Sequence, residues 1–155
     1  MAVRHSAGLL PWRRAAQGVE VFLVHMAGPY WAHKDDGAWS IAKGEYDPVV
    51  EDPWEVAQRE FDEEVGLPAP SGEPMDIGEH QMPSGKRVRV FLVQTDQDLH
   101  FVSSNLFEME WPRGSGTIAS FPETDDARWF DLDTARRKLV SGQTPILELV
   151  AAALL

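Results

Sequence analysis

The chain has 155 residues, 43% of them apolar, with six Trp and no Cys. That length supports one domain with its own core. The absent thiols exclude a disulfide scaffold, a thiolate zinc site and a cysteine nucleophile. A net charge of −11 argues against a DNA- or RNA-binding surface, which would be basic. No run reaches the roughly 18 apolar residues of a membrane span, and Arg4 and His5 interrupt any signal-peptide core, so a soluble cytoplasmic protein with no membrane contact is expected.

Arg4 to Trp12 reads as a first strand with Gly8 a candidate bulge, and Gln17-Gly18 as a turn. Val19 to Val24 reads as a buried strand, so the two form a hairpin. His25 to Asp36 is a loop carrying Tyr30, Trp31, His33 and Lys34. It reads either as a wall for a base with a phosphate contact at Lys34, or as a loop packed down by its aromatics, and packing is the commoner use. Trp39 to Ile41 is a short strand that delivers Lys43 and Gly44 to a loop, where glycine permits close backbone approach to a ligand.

The stretch from Lys43 to Pro68 organises the chain. Asp52 is an N-cap, Pro53 suits the first helical position, and Glu55 completes a capping box. Gly66 ends the helix in the left-handed conformation, Leu67 packs back on Phe61, and Pro68 forbids continuation. At about 100° per residue, Trp54, Ala57, Phe61 and Val65 form one apolar stripe. Glu60, Glu63 and Glu64 fall together on the adjoining face. Like charges at that spacing cost roughly 0.2–0.5 kcal/mol per pair, and the helix C-terminus disfavours negative charge. They need a counter-charge. Arg59, beside Glu55 and Glu63, supplies one; a divalent cation supplies more, and oxygen-only ligands point to Mg²⁺ or Mn²⁺.

Glu51, seven residues, then Arg59, Glu60, Phe61, Asp62, Glu63, Glu64, Val65, Gly66 and Leu67 match in register the signature G-x5-E-x7-R-E-U-x-E-E-x-G-U, U being bulky and apolar. A chance match is on the order of one in a million. At these residues the chain resembles the Nudix hydrolases. One departure stands out: six residues separate Gly44 from Glu51, so Glu45 occupies the strict glycine slot.

The resemblance implies a single-domain α/β/α sandwich with a mixed β-sheet flanked by helices. It implies Glu60 and Glu64 as primary Mg²⁺ ligands, Glu63 at a further ion site, and the backbone carbonyl of Lys43 or Gly44 facing the metal. Arg59 orients the acids, and Glu51 supports the loop or a metal-bound water. In several relatives a loop glutamate six residues before a strand tryptophan supplies a further catalytic or metal-binding carboxylate; Glu123 stands six before Trp129. The general base is Glu123 or a glutamate of the signature. Lys43-Gly44 resembles relatives that cleave dinucleoside polyphosphates or diphosphoinositol compounds.

Beyond the helix, Met75 to Gln81 reads as a strand, Pro83-Ser84-Gly85 as a turn, and Lys86 to Thr95 as a strand. Arg87 and Arg89 share a face with Phe91 and Val93, and serve either as phosphate contacts or as counter-charge to an acidic surface. In His100 to Pro112 a strand would put Glu108 and Glu110 on one face as reserve acids. Gly114 to Gly116 reads as loop and, after Pro122-Glu123-Thr124-Asp125-Asp126, Ala127 to Phe130 reads as a last strand. Asp131 to Val140 and Thr144 to Leu155 read as closing helices, the second capped by Thr144, with its apolar end packing on the sheet or on a second copy in a homodimer.

The expected function is therefore Mg²⁺-dependent hydrolysis of a phosphoanhydride bond in a nucleoside diphosphate linked to another group. A dinucleoside polyphosphate or a canonical or oxidised nucleoside triphosphate is the favoured substrate. The rival readings are a nucleotide sensor without turnover and an acidic interaction domain with no small ligand.

Overall fold

The computed structural model describes residues 2–155. In chain order its elements are β1 (His5–Ala15), β2 (Gly18–Met26), β3 (Trp39–Ser40), β4 (Ala42–Tyr46), α1 (Pro53–Val65), β5 (Met75–Gln81), β6 (Arg87–Gln94), β7 (Leu106–Glu110), β8 (Ile118–Pro122), β9 (Thr124–Asp131), α2 (Leu132–Lys138) and α3 (Thr144–Leu154).

Seven strands make one mixed sheet. Its spine is β3-β2-β1-β6-β5, with β4 paired to β1 and β9 to β2. β1 lies parallel to β6 over its length, from His5 opposite Arg87 to Trp12 opposite Gln94. Its other edge is divided: the first half pairs with β4, the second with β2. The strand alternation splits the core in two. Leu10, Trp12, Val21, Leu23, Val88 and Val90 face α2 and α3, whose Ala135, Ile146, Leu147 and Val150 complete that layer. Ala7, Leu9, Phe22, Val24, Phe91 and Val93 face α1 through Val56, Ala57, Phe61 and Val65. The α/β/α sandwich expected from the sequence is the fold. β7 and β8 form a separate two-stranded ribbon. Among the described residues no helix is long and apolar enough to cross a membrane.

The signals around α1 act as expected. The Asp52 carboxylate accepts from the Glu55 N–H at 3.0 Å, and Gly66 takes φ 84° while its N–H donates to the Asp62 carbonyl. Val56 joins the buried stripe and Trp54 is only half-buried, because the helix packs across the sheet toward its own second turn.

Other expectations are corrected. Lys43 and Gly44 sit on β4, not in a loop, because Gly8 and Ala7 of β1 pair with them. Gly8 forms no bulge; a Cβ there would meet the Ala42 carbonyl and the Lys43 Cβ, both at 3.0 Å, so glycine serves close packing. The extra residue before Glu51 is absorbed in the turn after β4, where the Glu51 N–H donates to the Asp47 carbonyl and the Asp47 N–H to the Glu51 carboxylate. After the Gly114–Gly116 loop the chain forms β8, a strand not expected from the sequence, held by the Phe107–Phe121 and Leu106–Pro122 pairings with β7. α2 stops at Lys138, since Leu139 turns extended to meet Trp39. Thr144 makes no cap: a 3-10 turn at Ser141–Gln143 leads into α3, and the Thr144 N–H donates to Ser141 within that turn. α3 buries its apolar face on the sheet.

Candidate active site

The last turn of any α-helix leaves carbonyls without intrahelical partners. In α1 these carbonyls organise the site. The Val65 carbonyl accepts from Val102 and Ser103, the Glu63 carbonyl from Asn105 at 3.0 Å, and the Glu64 carbonyl from the Thr124 hydroxyl. The Asn105 carbonyl in turn accepts from the Glu123 N–H at 2.9 Å. The chain between β8 and β9 is thereby tied to the end of α1, and Glu123 is held facing the helix acids.

A cleft of about 490 Å³ results, lined by Lys43, Gly44, Glu60, Glu63, Glu64, Asn105 and Glu123, together with Arg4, Glu45, Leu106 and Lys86. Gly44 matters for a steric reason. A Cβ there would fall 2.0 Å from the Glu60 carboxyl carbon, so only glycine lets Glu60 lie against the β4 backbone.

The electrostatics are crowded. Burial raises the Glu60 pKa, and the neighbouring Glu63 raises it further against the pull of Arg59. Burial also pushes Glu64 up to about 8, with Glu60 and Glu123 adding and with the Lys43 charge and backbone N–H opposing. Glu64 keeps a little solvent contact as a residue, while its carboxylate lies deep in the cleft. Arg59 spans the outer rim, 3.5 Å from Glu51, 3.5 Å from Glu60 and 3.8 Å from Glu63. Its partners are thus Glu51 and Glu60 as well as Glu63, and not Glu55, because the turn after β4 brings Glu51 back to the helix.

The donor set suits a hard cation. Among the described residues no three acidic or imidazole side chains converge tightly enough to form a ready cage. Mg²⁺ does not need one, since it typically takes one or two carboxylates and fills its shell with water and substrate phosphate. Five glutamates line the cleft against Arg4, Lys43 and Lys86, two of them with raised pKa values, so the cleft is short of positive charge, and a divalent cation supplies it.

Several sequence candidates lie elsewhere. Lys34 is outside the acidic cleft: its Nζ sits 5.1 Å from the Trp31 ring, on a second cleft with His25 and Asp125. Arg87 and Arg89 line no part of the acidic cleft; they pair with Glu79 at 3.5 Å and Asp76 at 3.4 Å on β5. Counter-charge, the bland alternative, describes them. Glu108 and Glu110 lie on the exposed face of β7, and Glu110 closes the ribbon by accepting from Gly114 and Gly116. The His25–Asp36 aromatics mainly pack: Trp31 lies on the core and Tyr30 meets Trp111 edge-on at 5.4 Å. Sequence reasoning missed Arg4 and Lys86 as cleft residues. Their proximity follows from the parallel β1–β6 pairing, where the Arg87 N–H donates to the Arg4 carbonyl, and no local pattern announces it.

Comparison with known proteins agrees with this geometry. The family model for the NUDIX domain matches residues 3–150. No curated protein sequence matches significantly. Among solved structures, C. elegans Ap4A hydrolase is similar with TM-score 0.65 and 21% identity, over 99% of this chain and 100% of that one. The NUDIX domain of Shewanella oneidensis NrtR, complexed with ADP ribose, gives TM-score 0.67 at 14% identity, over 100% and 90%. The Nudix hydrolase RenU from M. smegmatis gives 0.58 at 22%, over 100% and 92%. At such identities these likenesses speak for the fold, and the family match speaks for the rest: the chain belongs to the Nudix family and is a Nudix hydrolase acting on phosphoanhydride bonds.

Proposed function

We propose that the protein is a Mg²⁺-dependent pyrophosphohydrolase, with Mn²⁺ able to substitute, acting on a nucleoside diphosphate linked to another group. Dinucleoside polyphosphates and canonical or oxidised nucleoside triphosphates are the favoured substrates. The observation that carries this reading is the meeting of Glu60, Glu63, Glu64 and Glu123 with Lys43 around one cleft. Beside it lies a recess of about 210 Å³ that shares Lys43, Glu64 and Glu123 and adds Val24, Trp31 and Phe107, an apolar and aromatic lining suited to a nucleobase.

Hydrolysis of a phosphoanhydride needs neutralised charge, an aligned water and a base. Glu60 and Glu64 would hold the metal, with Glu63 at a further ion and a β4 carbonyl, of Lys43 or Gly44, alongside. When bound, Mg²⁺ acidifies water and neutralises charge on the leaving phosphate. Lys43 offers its ammonium to a phosphate oxygen. Glu123, more exposed than the three helix glutamates, takes the proton from the water that attacks phosphorus as the bridging P–O bond breaks. Arg59 acts as a positioning residue, holding Glu60 and Glu63 at their present angles through Glu51.

The test is incubation with Mg²⁺ and a panel of nucleotides, with products identified by mass. Turnover of one compound class, lost on Glu64→Gln, supports the enzyme and names the cleaved bond. Tight nucleotide binding without any turnover would replace the enzyme with a sensor.

A further inference from the structure

The cleft also holds cations, of which the reading above uses only Lys43. Arg4 pairs with Glu45, and the Lys86 Nζ lies 3.7 Å from the same carboxylate. Lys43, on the same strand as Glu45 and two residues before it, completes the group on the cleft wall. Strand register fixes all three. Lys43 lies over Gly8, where any side chain would press on it, and Arg4 is held beside Lys86 by its backbone bond to Arg87. Burial lowers the Lys86 pKa, and the Lys43 charge lowers it further while Glu45 opposes. Arg4 and Lys86 therefore share one carboxylate, and that carboxylate is the residue standing in the glycine slot of the family signature.

We propose that Arg4 and Lys86 extend the phosphate contact of Lys43 into a subsite for the non-reacting phosphates of an extended polyphosphate chain, and that Glu45 is an internal anion which that chain displaces. A carboxylate and a phosphate offer the same acceptor oxygens to these donors, and the phosphate carries more charge. The Arg4–Glu45 pair is easily exchanged: its side chains are 71% and 50% exposed, and exposed pairs are weak. Glu45 lies two residues beyond Lys43 on β4, about 6.7 Å along the strand, so a phosphate chain held by Lys43 beside the acids reaches Arg4 and Lys86 only if it is long enough. The subsite thus favours substrates with three or more bridged phosphates over diphosphates. This rests on the hydrolase reading for its biological use, but the subsite itself is testable without turnover.

Binding of inorganic tripolyphosphate is measured by calorimetry in EDTA at low salt, for the wild type, Glu45→Gln, Lys86→Met and Glu148→Gln. Glu148 pairs with Arg136 on α2, outside the cleft, and controls for the loss of one negative charge. Glu45→Gln should tighten Kd about fivefold, Lys86→Met should weaken it by a similar factor, and Glu148→Gln should leave it within about a factor of two. An unchanged Kd in Glu45→Gln, or equal tightening in Glu148→Gln, overturns the proposal. With Mg²⁺, Glu45→Gln should also raise the preference in kcat/KM for a tetraphosphate-bridged dinucleotide over a diphosphate-bridged one. A wild type that binds tripolyphosphate as described but cleaves no nucleotide would sink the hydrolase reading and leave the subsite standing.

Discussion

Replacing Glu64 by Gln should stabilise the metal-free protein, and do so more as pH rises. Glu64 has an ordinary carboxyl pKa of 4.5 in the unfolded chain and about 8 in the fold. Between those values the folded protein holds a proton that the unfolded chain releases. The unfolded state then binds fewer protons, so stability falls as pH climbs through this window and levels off above pH 8. At roughly 1.36 kcal/mol per pKa unit, the loss between pH 5 and pH 8 is about 3–4 kcal/mol, a ceiling that relaxation of the cleft will lower. Gln has the same shape and can still accept from the Lys43 N–H, but it has no charge to bury. The Tm advantage of Glu64→Gln should therefore grow by up to ~10 °C from pH 5 to pH 8 in EDTA. Saturating Mg²⁺ should erase that advantage by stabilising only the wild type. Thermal melts at both pH values measure this. A variant whose Tm tracks the wild type at every pH would show that Glu64 is not desolvated, and the electrostatic case for the site would fail.

Three further outcomes follow from single contacts. Gly44→Ala places a methyl 2.0 Å from the Glu60 carboxyl carbon, so Glu60 must swing away. Turnover should drop by about 100-fold, the order seen when catalytic groups lose alignment, while circular dichroism stays unchanged. Glu123→Gln should lower kcat by roughly 10²–10⁴-fold with little change in KM, as expected for loss of a general base; an unaltered kcat would return that role to the helix acids. Asp52→Ala removes the acceptor for the Glu55 N–H and should cost about 1 kcal/mol in urea unfolding, whereas a cost near zero would mean water replaces the cap.

The parts legible in the sequence were those written in local chemistry. Asp52, Pro53 and Gly66 mark the ends of α1 because capping depends on residues within one turn of each other. Glu60, Glu63 and Glu64 could be placed on one face because helical spacing alone decides it. Glu123 was legible only through the family resemblance, which ties it to Trp129 six residues on, while the reason it stays in the cleft, the chain of bonds through Asn105 and Thr124 to the α1 carbonyls, is tertiary. Long-range pairing hid the rest. β4 reads as a loop until β1 is known to lie beside it, and β8, five residues ending in Pro122, does not declare itself without β7. The basic residues were hardest to assign, since a lysine or arginine on a surface strand takes whichever carboxylate the fold brings near. Arg87 and Arg89 met Glu79 and Asp76, and Lys34 settled over Trp31, while Arg4 and Lys86 came to the cleft through a parallel pairing.

The central claim is that the α1 glutamates act through a divalent cation. Mn²⁺ binding, followed by electron paramagnetic resonance of the free ion, tests it most directly for the wild type, Glu60→Gln and Glu64→Gln. The account predicts bound Mn²⁺ in the wild type, displaced by Mg²⁺, with affinity reduced at least tenfold in each variant. Equal Mn²⁺ binding in all three proteins would contradict it.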